Sequence, residues 1–259
     1  MLLPEDWDSP SPDNQELCKE FDYGSYAENG LRMPYRFFVP QVPETVPLVV
    51  YLHGADAVGE DNEAQLAIHD IGTMFARKEW QRRHPCFVFA PQYGHGQHWS
   101  VPYVRKMVQS LIEKMVHDND SIDARRIYLY GYSAGGVGTL GFLKDYPDFY
   151  AGAVSICGAT GKDEMENLPR TPLWLVHAAD DQIVKASYRE AATMELAHFG
   201  SRDLFDELKG IPNWDFHYTE YPKGWMKEQY QVNPHCSWVA VSDERGAEIR
   251  EWLFQQRRA

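Results

Sequence analysis

Short apolar runs alternate with amphipathic stretches along most of the chain. The continuous apolar runs predict strands that are buried on both faces: Leu48–Leu52, Cys86–Ala90, the run that begins at Arg126, Ala151–Cys157 and Pro172–Val176. Stretches between and after them predict helices over Glu63–Trp80, Val104–Met115, Ser187–Phe199 and Glu244–Phe254. A further strand is predicted over Phe216–Tyr221, where apolar and polar residues alternate. Alternating buried strands and helices indicate a mostly parallel sheet with helices on both faces.

The N-terminal part has a different pattern. Residues 1–17 are rich in Pro, Asp, Ser and Asn and predict an irregular lead-in. Phe21–Ala27 and Leu31–Val39 flank the turn-forming pair Asn29-Gly30, which predicts a hairpin and therefore an antiparallel edge of the sheet. Because there is no internal repeat, low-complexity tract or linker, we expect residues 1–259 to form a single α/β domain.

Composition narrows the class of protein. A formal charge of -13 argues against a nucleic-acid partner, since phosphate binding needs a basic surface. The four cysteines have no close spacing, which favours buried thiols over a disulfide framework or a zinc site. No apolar run is long enough for a membrane span, so no membrane partner is expected. The first residues do not resemble a signal peptide, and the default expectation is the cytoplasm; a secreted or periplasmic protein with its signal removed would have the same sequence.

The candidate chemistry centres on Gly131–Gly135, Gly-Tyr-Ser-Ala-Gly. It fits the G-x-S-x-G pattern, in which a sharp turn between a strand and a helix projects a serine hydroxyl beside helical N–H groups. Glycine and serine are also common in ordinary turns, so the alternative is a plain glycine-rich turn. A buried strand before the pattern and a helix after it favour Ser133 as a nucleophile.

Acyl transfer needs N–H donors for the developing oxyanion. The Ala134 N–H, directly after the nucleophile, is expected to be one donor, and the Ala55 N–H in the loop after Leu48–Leu52 the second. We expect His53 to hold this loop by hydrogen bonds rather than to transfer protons. Asp56, Glu60 and Asp61 lack the spacing of a calcium loop and are expected to cap the following helix and tie the loop down.

Chain order identifies the expected base and acid. In this type of site, an Asp or Glu and then a His follow the serine. His177 precedes the acid candidates, His198 is predicted in a helix and His217 in a strand, which leaves His235, in a loop before the last helix. Asp180 and Asp181 both follow a predicted strand, and spacing alone does not choose between them.

The motifs together resemble the polyhydroxybutyrate-depolymerase-like and prolyl-oligopeptidase-like esterase branch of the α/β-hydrolase superfamily. The matching pieces are Met33–Pro40, the loop from His53-Gly54 to Asp61-Asn62, Ala90-Pro-Gln92 with Trp99, Gly131–Gly136, Trp174–Val184, His235–Trp238 and Trp252-Leu253. The resemblance implies an α/β-hydrolase fold and esterase chemistry without a cofactor. Its H-G-x-x-D-x-x-V pattern implies Asp181 as the acid. A metal at His95 and His98 is not expected, since no third ligand is near in sequence.

Two stretches depart from that family, and both are predicted as active-site loops: residues 200–214 and 222–234. Aromatic and apolar side chains there and nearby are candidate substrate contacts: Trp99, Trp225, Met226 and Tyr230. The alternative is that these side chains only pack the loops onto the body of the protein.

We therefore expect a serine carboxylesterase with a small-molecule or carbohydrate-linked ester as substrate, such as feruloyl or acetyl esters of plant polysaccharide. The alternatives are a serine peptidase of the prolyl-oligopeptidase-like type and a non-hydrolysing receptor for a small ligand on the same fold. The oligomeric state is not determined by the sequence.

Overall fold

The structure is a computed structural model that describes residues 11–28, 30–189 and 198–259. Its strands are β1 (Asp22–Glu28), β2 (Leu31–Phe38), β3 (Val46–Leu52), β4 (Phe87–Pro91), β5 (Ile122–Tyr132), β6 (Gly152–Ile156), β7 (Ala159–Gly161), β8 (Leu173–Ala178), β9 (His198–Gly200) and β10 (Phe216–Tyr221). Its α-helices are α1 (Pro12–Cys18), α2 (Ala64–Ala67), α3 (Asp70–Thr73), α4 (Lys78–Arg83), α5 (Pro102–Asp118), α6 (Ala134–Asp145), α7 (Lys162–Glu166), α8 (Ser201–Leu208), α9 (Trp225–Tyr230), α10 (Trp238–Ser242) and α11 (Ala247–Gln255).

Eight of these strands form one sheet in the order β1-β2-β4-β3-β5-β6-β8-β10. β2 pairs antiparallel with β1 and with β4, and the remaining neighbours are parallel. Glu28 lies opposite Leu31, as expected for a two-residue hairpin turn. The predicted α/β architecture with an antiparallel N-terminal edge is therefore confirmed. β7 and β9 form a separate antiparallel pair.

The central strands are buried along their whole length because helices cover both faces of the sheet. Every residue of β3, β4, β6 and β8 is buried. Along β5, Tyr128 and Tyr130 pack into one apolar cluster and Ile127 and Leu129 into another, as the alternation of side chains in a strand requires. The first cluster includes apolar residues of α3, α10 and α11, and the second includes those of α5 and α6.

The single helix predicted over Glu63–Trp80 is wrong. The chain forms α2, α3, a short 3-10 turn at Met74–Ala76 and α4 instead. One reason lies at Gly72, where a Cβ atom would be 2.7 Å from the Gln65 carbonyl oxygen. The backbones of α2 and α3 approach so closely that one straight helix is excluded.

Two other predicted segments differ from expectation. The N-terminal lead-in contains α1, with Pro12 in its first turn, where a missing N–H costs nothing. The helix predicted over Ser187–Phe199 falls largely on residues 190–197, outside the described residues; Ser187 is irregular and His198 lies in β9. His198 is therefore in a strand rather than a helix.

The two predicted active-site loops contain helices. Residues 200–214 include α8, which packs against β8 and β10, and residues 222–234 include α9, which packs against the turn at Pro234–Cys236. Both helices are short and amphipathic.

In the part of the chain that the structure describes, no helix has the length and apolar character to cross a membrane.

Candidate active site

Ser133 lies at the turn between β5 and α6 in a strained conformation. Its φ of 53° and ψ of -118° belong to a region that residues other than glycine rarely adopt. The surrounding backbone holds it there: the Ser133 N–H donates to the Ile156 carbonyl (2.9 Å), and its own carbonyl accepts from the Val137 N–H (3.0 Å). The side chain is partly exposed, so the turn presents one hydroxyl to solvent.

The glycines of this turn are required by close backbone approaches. A Cβ atom on Gly135 would lie 1.9 Å from the Leu52 carbonyl oxygen and 2.9 Å from that of His53. A Cβ atom on Gly131 would lie 2.3 Å from the Gly135 carbonyl oxygen. The first turn of α6 therefore packs directly onto the end of β3, where the loop of residues 53–62 begins.

Ser133, His235 and Asp181 form a continuous hydrogen-bonded chain. The Ser133 hydroxyl lies 2.9 Å from His235 Nε2, and His235 Nδ1 lies 2.7 Å from Asp181 Oδ2. The carboxylate accepts, so Nδ1 carries the imidazole proton and Nε2 is left to accept from the serine. Asn233 fixes the turn that carries the histidine, because its side chain accepts from the His235 N–H at 2.9 Å. The structure thus brings together the three residues that chain order and the family resemblance had selected.

Asp181 is a buried carboxylate with four hydrogen-bond donors. Its Oδ1 accepts from the N–H groups of Ile183 (2.8 Å) and Val184 (3.1 Å), and its Oδ2 from His235 and, at 3.2 Å, from His177 Nε2. Burial by itself raises the pKa of this group, but the bonds from the two histidines outweigh burial and hold the pKa at about 2. The carboxylate is therefore charged at neutral pH.

Chain order excludes His177 as the base, but the structure places it in the site as a partner of Asp181. It is buried at the end of β8, and its Nε2 also donates to the Val184 carbonyl at 2.8 Å, while its Nδ1 lies 2.8 Å from the Ser201 hydroxyl of α8. A signal existed in the sequence: His177 precedes Asp181 by four residues, as in the H-G-x-x-D pattern.

The neighbouring Asp180 has a different role. Its Oδ2 accepts from the Gly224 N–H at 2.9 Å, which ties the start of α9 to the end of β8. Gly224 adopts a φ of 84°, a conformation that favours glycine. The two adjacent carboxylates therefore face different partners, and only that of Asp181 reaches His235.

The loop after β3 is held by His53. The imidazole is fully buried and donates from Nδ1 to the Gly54 carbonyl (2.6 Å), while Nε2 accepts from the Tyr93 N–H (3.3 Å). Burial lowers the pKa of His53 to about 4, so the ring is neutral at pH 7. These bonds agree with a structural role rather than proton transfer.

Ala55 and Ala134 are the first residues of two elements that meet where Gly135 packs against His53. Ala55 starts a 3-10 turn that ends at Ala57, and Ala134 is the first residue of α6. Neither N–H has a helical partner at the start of such an element, so both are available to an acceptor. Because Gly135 packs against His53, the two N–H groups belong to adjoining backbone segments beside Ser133.

Two acidic residues of the same loop, Asp61 and Asp56, have different structural roles. Asp61 Oδ1 accepts from the N–H groups of Glu63 (2.8 Å) and Ala64 (3.1 Å), which is the expected helix cap. Asp56 does not cap a helix. Its carboxylate accepts from the Tyr132 hydroxyl at 2.7 Å and lies 2.6 Å from His69 Nε2, which ties the loop to the residue before Ser133.

Comparison with known proteins agrees with this architecture. The model of the phospholipase/carboxylesterase family matches residues 86–214, almost half of the chain. A thermostable esterase of known structure superposes with a TM-score of 0.80 and 33% identity, over 94% of this chain and 64% of its own. The chain has the α/β-hydrolase fold.

Two further proteins show how far this similarity extends. Poly(3-hydroxyalkanoate) depolymerase C of Paucimonas lemoignei is 32% identical over 133 residues, which are 47% of this chain and 30% of the depolymerase. The acylaminoacyl peptidase of Pyrococcus horikoshii has a TM-score of 0.64 at 14% identity, over 92% of this chain and 41% of its own, and shows the fold alone. The chain spans less than two thirds of the length of each relative named here.

Two of the four residues expected to contact substrate, Trp99 and Met226, are buried in this fold. Trp99 is fully buried, and its indole N–H donates to the His53 carbonyl at 2.9 Å. Met226 is fully buried against Ala178 and Ala240. Neither side chain is exposed, which favours the alternative that both residues pack the loops onto the body of the protein.

Trp225 and Tyr230 are partly exposed but engaged. The Trp225 ring stacks on Tyr221, with centroids 4.5 Å apart and planes 5° from parallel, and the Tyr230 hydroxyl donates to Asp243. The guanidinium of Arg245 lies 5.3 Å from the Trp225 ring and 5.1 Å from the Tyr230 ring. These contacts show that α9 is packed in place by its aromatic residues, although part of each ring reaches solvent.

The cysteine and histidine side chains that were candidates for metal binding do not form a metal site among the described residues. All four cysteines are buried thiols. His98 Nδ1 lies 2.7 Å from the Ser100 hydroxyl. Across residues 11–28, 30–189 and 198–259, no three His, Cys, Asp or Glu side chains are grouped closely enough to hold a metal ion.

Proposed function

We propose that this protein is a serine carboxylesterase that hydrolyses its substrate through an acyl-enzyme. The observation that carries the proposal is the hydrogen-bonded chain from the Ser133 hydroxyl through His235 to the buried carboxylate of Asp181. The same three residue types in this arrangement activate a serine in unrelated folds. The esterase among its relatives supports the type of bond that is cleaved.

In the proposed reaction, His235 Nε2 takes the proton of Ser133 as its oxygen attacks the ester carbonyl. Asp181 stabilises the imidazolium that forms and holds its Nδ1–H. The N–H groups of Ala55 and Ala134 bind the oxyanion. His235 then protonates the departing alcohol, and water attacks the acyl-enzyme by the reverse proton route.

For the substrate, we propose feruloyl or acetyl esters of plant polysaccharide. The partly exposed rings of Trp225 and Tyr230, on a helix that packs against the His235 turn, support an aromatic acyl group. Trp99 and Met226 are buried and therefore add no support for such a group. The similarity to the depolymerase makes oligomeric 3-hydroxyalkanoate esters the natural comparison in an assay.

The first test compares wild-type protein with Ser133→Ala on p-nitrophenyl acetate. We expect a burst of one p-nitrophenol per protein molecule and a loss of at least about 10⁴-fold in kcat for the variant. A panel of acetyl, feruloyl and 3-hydroxybutyrate esters then ranks the substrates by kcat/KM. Hydrolysis of peptide anilides but not of esters would favour a peptidase, and tight binding of aryl esters without turnover would favour a receptor.

A further inference from the structure

We propose that Gln92 is a positioning residue that fixes the loop of residues 53–62, and with it the Ala55 N–H, beside the nucleophile. The inference rests on the proposed function, because it assigns Gln92 a part in stabilising the oxyanion. Gln92 follows β4 directly, is fully buried, and is far in sequence from every residue of the proposed site.

The Gln92 side chain bridges the two ends of a short segment. Its Oε1 accepts from the Asn62 N–H at 2.7 Å, and its Nε2 donates to the Ala57 carbonyl at 3.1 Å and to Asp61 Oδ1 at 2.9 Å. One amide thus uses its acceptor and both its donors on a single loop. A fully satisfied buried group of this kind specifies one backbone conformation.

Asn62, at the far end of the bridge, is itself fixed. It adopts a φ of 57°, a conformation that costs free energy for a residue other than glycine. Its carbonyl accepts from Arg36 Nε at 2.6 Å, and its side chain donates to the Tyr35 carbonyl at 2.9 Å and accepts from Gln65 at 2.8 Å. The strained turn is therefore anchored to β2 and to α2, and Gln92 connects that anchor to Ala57.

The other side of Ala55 is held by the residues that follow Gln92. The Tyr93 N–H and the Trp99 indole N–H bond to the ring and carbonyl of His53. Ala55 is two residues from His53 and two residues from Ala57, so both flanks of the proposed oxyanion donor are tied to the segment after β4. Oxyanion stabilisation depends on donor position, and a small displacement of the donor lowers the rate without weakening substrate binding.

A glutamate at position 92 would keep the bond to Asn62 and remove those to Ala57 and Asp61. The new carboxylate would also face the carboxylate of Asp61, where the Gln92 amide now donates. We therefore expect the segment from Ala57 to Asp61 to shift while the rest of the fold is retained.

The experiment compares Gln92→Glu with Gln109→Glu. Gln109 is a matched control, because it is also buried, accepts from the Tyr150 hydroxyl (2.6 Å) and donates to the Glu113 carboxylate (3.0 Å). It lies on α5 and has no hydrogen bond to the loop of residues 53–62. We expect Gln92→Glu to lower kcat on p-nitrophenyl acetate by about 10- to 100-fold with KM changed less than about twofold. Inhibition by a trifluoromethyl ketone, which forms an oxyanion on the serine, should weaken by the same factor as kcat/KM. Gln109→Glu should change neither kcat nor the inhibition by the ketone.

If Gln92→Glu does not fold, Gln92→Met and Gln109→Met are compared instead, since methionine preserves the length of the side chain without a charge. Folded Gln92 variants that keep kcat within about twofold of their Gln109 counterparts, or that raise KM and leave kcat unchanged, would refute the role of Gln92 alone. Absence of Ser133-dependent hydrolysis in the wild-type protein would refute the proposed function, and this inference with it.

Discussion

Replacement of Asp181 by asparagine tests which of the two adjacent carboxylates at the end of β8 acts as the catalytic acid residue. Asp180→Asn is the matched control, since its carboxylate accepts one backbone N–H from Gly224 and has no bond to His235. Both substitutions remove one negative charge and preserve side-chain volume at neighbouring positions. A difference between their rates therefore reports the contact with the histidine rather than net charge.

The expected magnitude follows from the four donors around Asp181. An asparagine that places its oxygen toward His235 must turn its NH₂ toward the N–H groups of Ile183 and Val184, and two hydrogen bonds are lost. The opposite orientation points NH₂ at His235 Nδ1, which selects the tautomer with a proton on Nε2 and prevents it from accepting the Ser133 proton. Both orientations also lose the stabilisation of the imidazolium.

We therefore expect Asp181→Asn to lower kcat by roughly 10³- to 10⁴-fold, the size of effect known for this change in serine proteases, and Asp180→Asn by less than about tenfold. The assay is steady-state hydrolysis of p-nitrophenyl acetate at pH 7.5, with circular dichroism to show that both variants are folded. A larger loss in Asp180→Asn, or a loss below about tenfold in Asp181→Asn, would show that Asp181 is not the acid.

Three further predictions concern the base, the turn and acid stability. His235→Ala should remove nearly all esterase activity with an unchanged far-ultraviolet spectrum; retained activity would assign the base elsewhere. Gly135→Ala should lower the free energy of unfolding by about 1–3 kcal/mol or more, because its Cβ would meet the Leu52 carbonyl, whereas Gly210→Ala, which meets nothing within 4 Å, should not; urea denaturation measures both, and equal losses would contradict the packing argument. The pKa of Asp181 is about 2 in the folded protein and ordinarily 3.8, so its charge stabilises the fold above about pH 4, and this stabilisation, about 2 kcal/mol, is lost as the pH falls toward 2. The slope of unfolding free energy against pH over this range should be smaller in Asp181→Asn, and identical slopes would show that the pKa is not lowered.

Local patterns were sufficient where one segment determines its own structure. The turn at Ser133 is visible in the sequence because its glycines permit backbone approaches that no other residue allows. The hairpin of β1 and β2 is visible because a turn pair separates two alternating strands. The α/β fold follows from the order of apolar runs, since strands buried on both faces need helices on each side.

Chain order was sufficient to select Ser133 and His235 as partners, and the family resemblance to choose Asp181 over Asp180. The sequence alone could not show why Asp181 differs from Asp180. The reason is tertiary: Asp181 meets His235 and His177, while Asp180 meets Gly224 of another loop. Asp180 and Asp181 have different partners because the fold places two separate segments after β10, one with Gly224 and one with His235, beside the end of β8.

Tertiary packing also decided what the side chains near the site do. Trp99 and Met226 were candidate substrate contacts by residue type, but apolar side chains in loops bury themselves where a neighbouring surface is available, and the structure provides one for each. The contact of Gln92 with Ala57, Asp61 and Asn62 joins segments about 30 residues apart and has no local signature. The sequence by itself determined the nucleophile and the order of nucleophile, acid and base along the chain. Only the tertiary structure decided which groups hold the acid, the base and the oxyanion loop in place, because such contacts exist only after distant segments have packed.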